Sequence, residues 1–260
     1  MARASNPPCA GCRDGVGLDF EFSMAFQPIV DIVDGTAFAY EALVRGPGGE
    51  GAASVLSLVS DANRYAFDQQ CRVKAIETAA RAGLIGSGAR LSINFLPNAV
   101  YSPAACIQLT LKTARAVGFP TSRLIFEFTE NEHMADPDHV ADIVATYRQM
   151  GFGTALDDFG AGYAGLNLLA RFQPDFIKLD MELIRGIDTS MPRRMIVDGV
   201  VKMCAALGVT VIAEGIETAA ELETLRAMGV RYIQGFYFAM PAFEALPAVT
   251  LRVDMERRIA

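Results

Sequence analysis

The sequence predicts one α/β domain, a (β/α)8 TIM-like barrel whose first strand is antiparallel. Three observations point there. About eight short apolar runs of β type alternate with longer amphipathic patterns along most of the 260 residues. The first two runs are joined by Asp31-Ile32-Val33-Asp34-Gly35-Thr36, too short for a helical crossover and carrying the Asp-Gly turn pair of a hairpin. Nearly every run ends in a polar or charged residue, and a barrel gathers strand ends on one face. A doubly wound sheet is the competing arrangement.

In order, the predicted strands cover 22–30, 37–44, 91–96, 124–128, 153–156, 176–179, 209–213 and 232–238. Asp136-Pro137 opens a helix that Gly151 follows, because proline suits a first helical turn and glycine a position just past the last. Thr218-Ala219-Ala220-Glu221 is a capping-box sequence, with Gly229 beyond that helix. No repeat, low-complexity tract or linker interrupts residues 20–243. The reading is therefore a flexible leader at 1–19 and one domain at 20–260, with a charged helix or edge element over 247–260.

A 52% apolar content is enough for a large core. The net charge of −7 argues against a duplex nucleic-acid binder, which needs a basic field to displace counterions. A nucleotide substrate stays open, since bound cations reverse the sign of an acidic pocket. No run approaches the roughly 18 apolar residues of a membrane span, and 1–17 has no secretory apolar core, which points to the cytoplasm. Five cysteines, an odd number, agree with a reducing compartment. Cys9 and Cys12 have the spacing of half a zinc site, yet no second pair completes it, and His133 and His139 lie far along the chain. Cys71, Cys106 and Cys204 sit among apolar residues and read as core.

The late polar residues of the strands are Glu41, Asn94, Glu127 with Glu130, Asp157 and Asp158, Lys178 with Asp180, Glu214 with Glu217, and Gln234. Singly, Glu41, Glu130 and Glu217 read as solvated or capping carboxylates, Gln234 as a strand-end partner and Asn94 as the start of a turn. Together, about one per strand end, they make chance placement the weaker account. Unpaired charges inside apolar strands cost several kcal/mol, and one lysine cannot balance five or six carboxylates, so a cation is required. Carboxylates and an amide oxygen, with no histidine or cysteine nearby, favour Mg²⁺ or Mn²⁺ over zinc. Two ions per site suit the Asp157-Asp158 pair, Asp157 bridging both and Asp158 serving the second. Such a pair is suited to phosphoryl chemistry. Glu214 is then a proton acceptor or second-metal ligand, and Lys178 holds the water or a phosphate oxygen.

The motifs FQPIVD at 26–31, EALVRG at 41–46, LSINFLP at 91–97, FEFTE at 126–130, ALDDFGAGYAGL at 155–166, FIKLD at 176–180, IAEGIET at 212–218 and QGFYFAMP at 234–241 occur in one order. In this the chain resembles the EAL-domain cyclic di-GMP phosphodiesterases. The resemblance implies Glu41, Asn94, Glu127 and Asp157 as ligands of the first metal, Asp158 on the second, Glu214 as general base and Lys178 as catalytic lysine. It implies substrate-contacting or pocket-ordering positions at Gln27, Leu43, Arg45, Asp180, Glu217 and Gln234, with Arg45 suited to a phosphate. Glu130 matches the glutamate that holds the loop at 158–166, which couples the site to a homodimer interface. The implied reaction opens cyclic di-GMP to linear pGpG; a separate sensory or regulatory protein, or a rearrangement of the dimer, could control it.

Three departures from the family pattern stand out: Ala161 and Ala164 in the loop, Gly46-Pro47-Gly48-Gly49 after Arg45, and 60–65 ahead of a helix. None removes a ligand or catalytic group. One alternative is a catalytically weak EAL domain serving as a cyclic di-GMP receptor or protein-interaction module. Another is a Schiff-base aldolase using Lys178 as its amine, which leaves the carboxylates around it unexplained.

Overall fold

The computed structural model describes residues 18–129, 137–162 and 164–249. Cys9, Cys12, Glu130, His133, Asp136 and Tyr163, most of the leader and the end of the tail lie outside the described residues. Among the described residues nine strands form one sheet: β1 (Ser23–Asp31), β2 (Thr36–Arg45), β3 (Arg90–Asn94), β4 (Leu124–Thr129), β5 (Gly153–Phe159), β6 (Phe176–Leu179), β7 (Thr210–Ala213), β8 (Tyr232–Ile233) and β9 (Ala242–Phe243). Their order is β2-β3-β4-β5-β6-β7-β8-β1-β9, and β1 also pairs with β2, which closes an eight-stranded barrel. The longer helices are α1 (Arg64–Arg81), α2 (Gln108–Val117), α3 (Pro137–Gln149), α4 (Gly165–Arg171), α5 (Met191–Leu207) and α6 (Ala219–Ala227). Among the described residues no helix is long and apolar enough to cross a membrane.

β1 is antiparallel to β2, as the short Asp-Gly connection requires, and Gly35 takes a φ of 69° in that turn. Every residue of β1 is buried, which fits a strand with neighbours on both edges and packing on both faces. On its second edge β8 pairs only with Val30 and Asp31, and β9 only with Ala25 and Phe26. Residues 27–29 thus have no backbone partner on that edge. Pro28, which has no N–H to offer a ladder, stands in this stretch.

Two strand ends differ from the sequence reading by three residues or more. β8 stops at Ile233 instead of continuing to 238, and β9 follows. The chain leaves the ladder because 234–237 bonds to Ile216: its N–H donates to Gln234 O (3.2 Å), and Tyr237 N–H donates to its carbonyl (3.0 Å). A Cβ on Gly235 would stand 2.1 Å from Ile216 O, so only glycine permits this approach. β5 runs on to Phe159, so both aspartates belong to the strand and not to the turn after it.

The lumen is layered by the period-2 alternation of the strands. Ile29, Ala39, Ile125, Ala155, Phe176 and Ile212 pack together as an apolar floor, with Phe38 and Tyr232 against them. Each stands two residues from Gln27, Glu41, Glu127, Asp157, Lys178 and Glu214 respectively, so the polar layer lies about 6.6 Å above the apolar one. Outward-facing residues of the same strands pack against the helices; Phe126 lies 5.0 Å from Tyr147 and 5.1 Å from Phe152, centroid to centroid.

At the opposite mouth, Arg231 next to β8 reaches Asp31 (2.6 Å) and Asp34 (2.8 Å), while Val33 and Asp34 N–H groups donate to Asp31 Oδ1. Burial raises the pKa of Asp31, but the Arg231 and amide hydrogen bonds outweigh it and hold it below the ordinary value. A depressed carboxylate contributes stability that is present above its unfolded pKa, about 3.9, and is lost as pH falls through the folded value. Asp31→Asn should therefore lower the urea midpoint at pH 7, and the gap from wild type should close below about pH 4. A gap that persists at pH 2.5 would show that the carboxylate's charge is not responsible.

Candidate active site and metal centre

Lys178, 1% exposed, is the hub of the polar layer. Its Nζ lies 2.7 Å from Glu214 Oε1, 2.9 Å from Glu127 Oε2, 3.0 Å from Asp157 Oδ1 and 3.4 Å from Glu41 Oε2. Burial works against its charge, but Asp157, Glu127, Glu214 and Glu41 outweigh it and hold the ammonium pKa well above that of an ordinary lysine. A Schiff-base lysine needs the opposite shift, so the aldolase reading finds no support here.

One ammonium is too little for the carboxylates. Burial raises Glu127 to about 8, with Lys178 opposing and Glu41 and Asp157 adding to the rise. Burial likewise lifts Asp157 above the ordinary value, and Glu214 well above it. Asp158 rises to about 6 through burial and the neighbouring Asp157.

Oxygens of Glu41, Glu127 and Asp157 lie within 4.8 Å of one another, as do those of Asp157, Asp158 and Glu214. Asp157 is common to both triplets. Adjacent residues of a regular strand face opposite ways, so the pair needs a special backbone. Between Leu156↔Ile177 and Phe159↔Leu179 two residues of β5 oppose Lys178 alone, a β-bulge, and Asp158 takes a φ of 54°. That left-handed residue turns its carboxylate back toward its neighbour's.

Around the triplets, side chains set orientation. Asn94 Nδ2 donates to Glu41 Oε1 (3.1 Å), which leaves its Oδ1 as the amide atom that could accept a cation. Gln234 Nε2 donates to Glu41 Oε2 (2.8 Å) and to Gln27 Oε1 (3.2 Å), while Gln27 Nε2 donates to Ala239 O (3.3 Å). These two glutamines bridge the gap that β8 and β9 leave beside β1. Leu43 and Arg45 are half-buried near the end of β2, and Arg45 donates to Val44 O (2.7 Å). Asp180 caps the short helix Met181–Ile184 through Glu182 N–H (2.8 Å), and its charge contributes to the raised pKa of Asp158. Glu217 is half-exposed and pairs with Arg185 (3.0 Å), outside both triplets. Glu130 lies outside the described residues.

The sequence reading missed three polar residues. Ser92 is fully buried and donates to Glu127. Its signal was its position two residues before Asn94, on the same strand face. Asp68 and Arg72 form a buried pair on α1, legible only as an i,i+4 charge pair within an otherwise apolar face.

Divalent cations fit this donor set. The ligand atoms are hard oxygens, and the burial of several carboxylates around one lysine calls for added positive charge. Asp157 Oδ1 and Gln234 Oε1 are buried with no hydrogen-bond donor aligned on them, even though the ammonium lies 3.0 Å from the former. Fold and site together define a β/α-barrel protein with a buried carboxylate cluster that could hold oxygen-ligated cations, on the face where such barrels place their chemistry.

The chain belongs to the EAL domain family, whose model matches residues 16–241. A standalone EAL protein from Vibrio cholerae O395, solved in a c-di-GMP bound form, is 51% identical with a TM-score of 0.86, covering 90% of this chain and 98% of that one. Klebsiella pneumoniae BlrP1, solved as a manganese/cyclic di-GMP complex, is 35% identical with a TM-score of 0.82, covering 89% and 59%. Among curated relatives, the Escherichia coli blue light- and temperature-regulated antirepressor BluF is 33% identical over 86% of this chain and 55% of its own length. The Pseudomonas aeruginosa cyclic di-GMP phosphodiesterase NbdA is 26% identical over 86% and 29%. The chain thus spans about half or less of the length of these two curated relatives.

Proposed function

We propose that this chain hydrolyses cyclic di-GMP to linear pGpG with two Mg²⁺ or Mn²⁺ ions per site. The observation that carries the proposal is the pair of carboxylate triplets sharing Asp157 around one buried ammonium. Glu41, Asn94, Glu127 and Asp157 would hold the first ion, Asp157 and Asp158 the second. When bound, the ions supply charge stabilisation at phosphorus and acidify a water.

The chain's own groups do the rest. Glu214, with 18% of its side chain exposed, is the one carboxylate of the Lys178 cluster most open to the mouth, and it takes the proton of the attacking water. Lys178 holds Glu127, Asp157 and Glu214 in their relative positions and places one fixed positive charge beneath the reacting phosphate. Arg45, at the end of β2, contacts a phosphate oxygen. Gln27, Leu43, Asp180, Glu217 and Gln234 contact the substrate or order its pocket. We place the reaction in the cytoplasm. The active form is a homodimer, for which the exposed Met191, Met195 and Ile196 of α5 offer an apolar surface, and a separate sensory or regulatory protein sets its rate.

The name of the antirepressor relative favours a second reading, a catalytically weak domain that binds cyclic di-GMP or a protein partner. The two readings part in one assay. Purified chain given cyclic di-GMP with Mg²⁺ or Mn²⁺ should yield pGpG by chromatography, and EDTA should abolish it. Binding of cyclic di-GMP without pGpG under either metal would reject hydrolysis in favour of the second reading.

A further inference from the structure

We propose that Asp68 is a positioning residue for Asn94, acting through the backbone of Leu96. The inference rests on the reading of Asn94 as a metal ligand. Asn94 is the last residue of β3. Phe95 N–H still donates to Glu127 O (2.9 Å), after which the chain leaves the sheet and reaches Pro97, which has no N–H. The one hydrogen bond on the amide between them comes from outside the barrel: Leu96 N–H donates to Asp68 Oδ1 (2.9 Å).

Asp68 is itself held. Arg72, fully buried one turn along α1, donates through Nη2 to the second carboxylate oxygen and through Nε to the Asp68 carbonyl (3.4 Å). Its Nη1 donates to Tyr147 Oη on α3 (3.4 Å), so the pair ties the loop after β3 to two outer helices. Phe95 is packed among Phe126, Phe128 and Tyr147, but the packing around Leu96 is incomplete. A cavity of about 260 Å³ adjoins it, lined among others by Met24, Val44, Phe67, Asp68, Asn94 and Leu96. Beside that opening the directional bond to Asp68 adds to packing in deciding where the Leu96 backbone sits. A buried ion pair is seldom more stabilising than an apolar pair of equal volume, which leaves placement of Leu96 as the work this pair does.

The test separates placement from stability. In Asp68→Leu/Arg72→Met the pair becomes apolar and Leu96 loses its acceptor. The urea midpoint should fall by no more than the loss of one amide's acceptor costs, while Mn²⁺ affinity of the metal-free chain, measured by calorimetry, should weaken about tenfold. Asp68→Asn keeps an acceptor oxygen and should retain most of the affinity. Equal Mn²⁺ affinity in wild type and double variant would overturn the role of Asp68 alone; a wild-type chain that binds no Mn²⁺ would overturn the metal reading beneath it. Independently of any variant, the wild-type Leu96 amide should exchange with solvent as slowly as those of β3. Fast exchange there would also overturn the inference.

Discussion

Lys178→Met is expected to reduce turnover about a thousandfold and to make the stability of the metal-free protein fall steeply with pH. The first effect follows from removing a preorganised charge worth about 4 kcal/mol at the reacting phosphate. The second follows from linkage. Burial holds Glu127 at about 8 and keeps Asp157 and Glu214 above their ordinary values in the folded state, whereas unfolding returns all three to the ordinary carboxylate range of about 4. Groups of this kind contribute stability that is full below the unfolded pKa and lost as pH rises through the folded value. Without the ammonium those folded values move further up, and each additional proton adds about 1.4 kcal/mol per pH unit to the slope. At pH 5 wild type and variant should have similar urea midpoints. At pH 8 the variant should be weaker by about 3–5 kcal/mol, the cost of breaking a buried charge cluster. Added Mn²⁺ should restore much of that loss, because a ligand that binds only the folded state stabilises it by mass action. Parallel pH profiles for the two proteins would show that Lys178 is not the counter-charge of the layer.

Glu214→Gln should separate activity from stability. If Glu214 takes the proton of the attacking water, its loss should lower kcat by about 10²–10⁴. Cyclic di-GMP affinity should change little, since the amide keeps the shape and the polar surface. Metal-free stability should rise at pH 8, because the substitution removes a carboxylate whose pKa burial and the neighbouring Asp157 and Glu41 have pushed well up. Single-turnover kinetics and urea unfolding on the same preparation check both halves. Retained kcat would move the acceptor role to another group, and a fall in stability at pH 8 would mean that the Glu214 contact with Lys178 matters more than its repulsion from the other carboxylates.

The parts of the site that could be read in advance were those expressed in local pattern. Glu41, Glu127 and Lys178 stand out as charges in otherwise apolar strands and Glu214 as one just after such a strand, and period-2 alternation already puts each above an apolar residue two positions away. The hairpin between β1 and β2 was equally local, since Asp34-Gly35 and a short connection allow no parallel crossover. Ser92, Asp68 and Arg72 escaped notice for the complementary reason: a serine in a strand and an i,i+4 pair on a helix are common on surfaces, and only burial gives them meaning.

What short segments of sequence carried was the run of about eight strands, the hairpin at their start and a late polar residue on nearly every one, because alternation and strand ends are local properties. The tertiary structure decided how those residues address one another. The bulge opposite Lys178 turns both Asp157 and Asp158 toward the site, Gly235 lets the chain leave β8 against Ile216, and the gap this opens is bridged by Gln27 and Gln234. Each of these depends on the distance between segments far apart in the chain. Closing the barrel sets that distance, and no local run of residues encodes it.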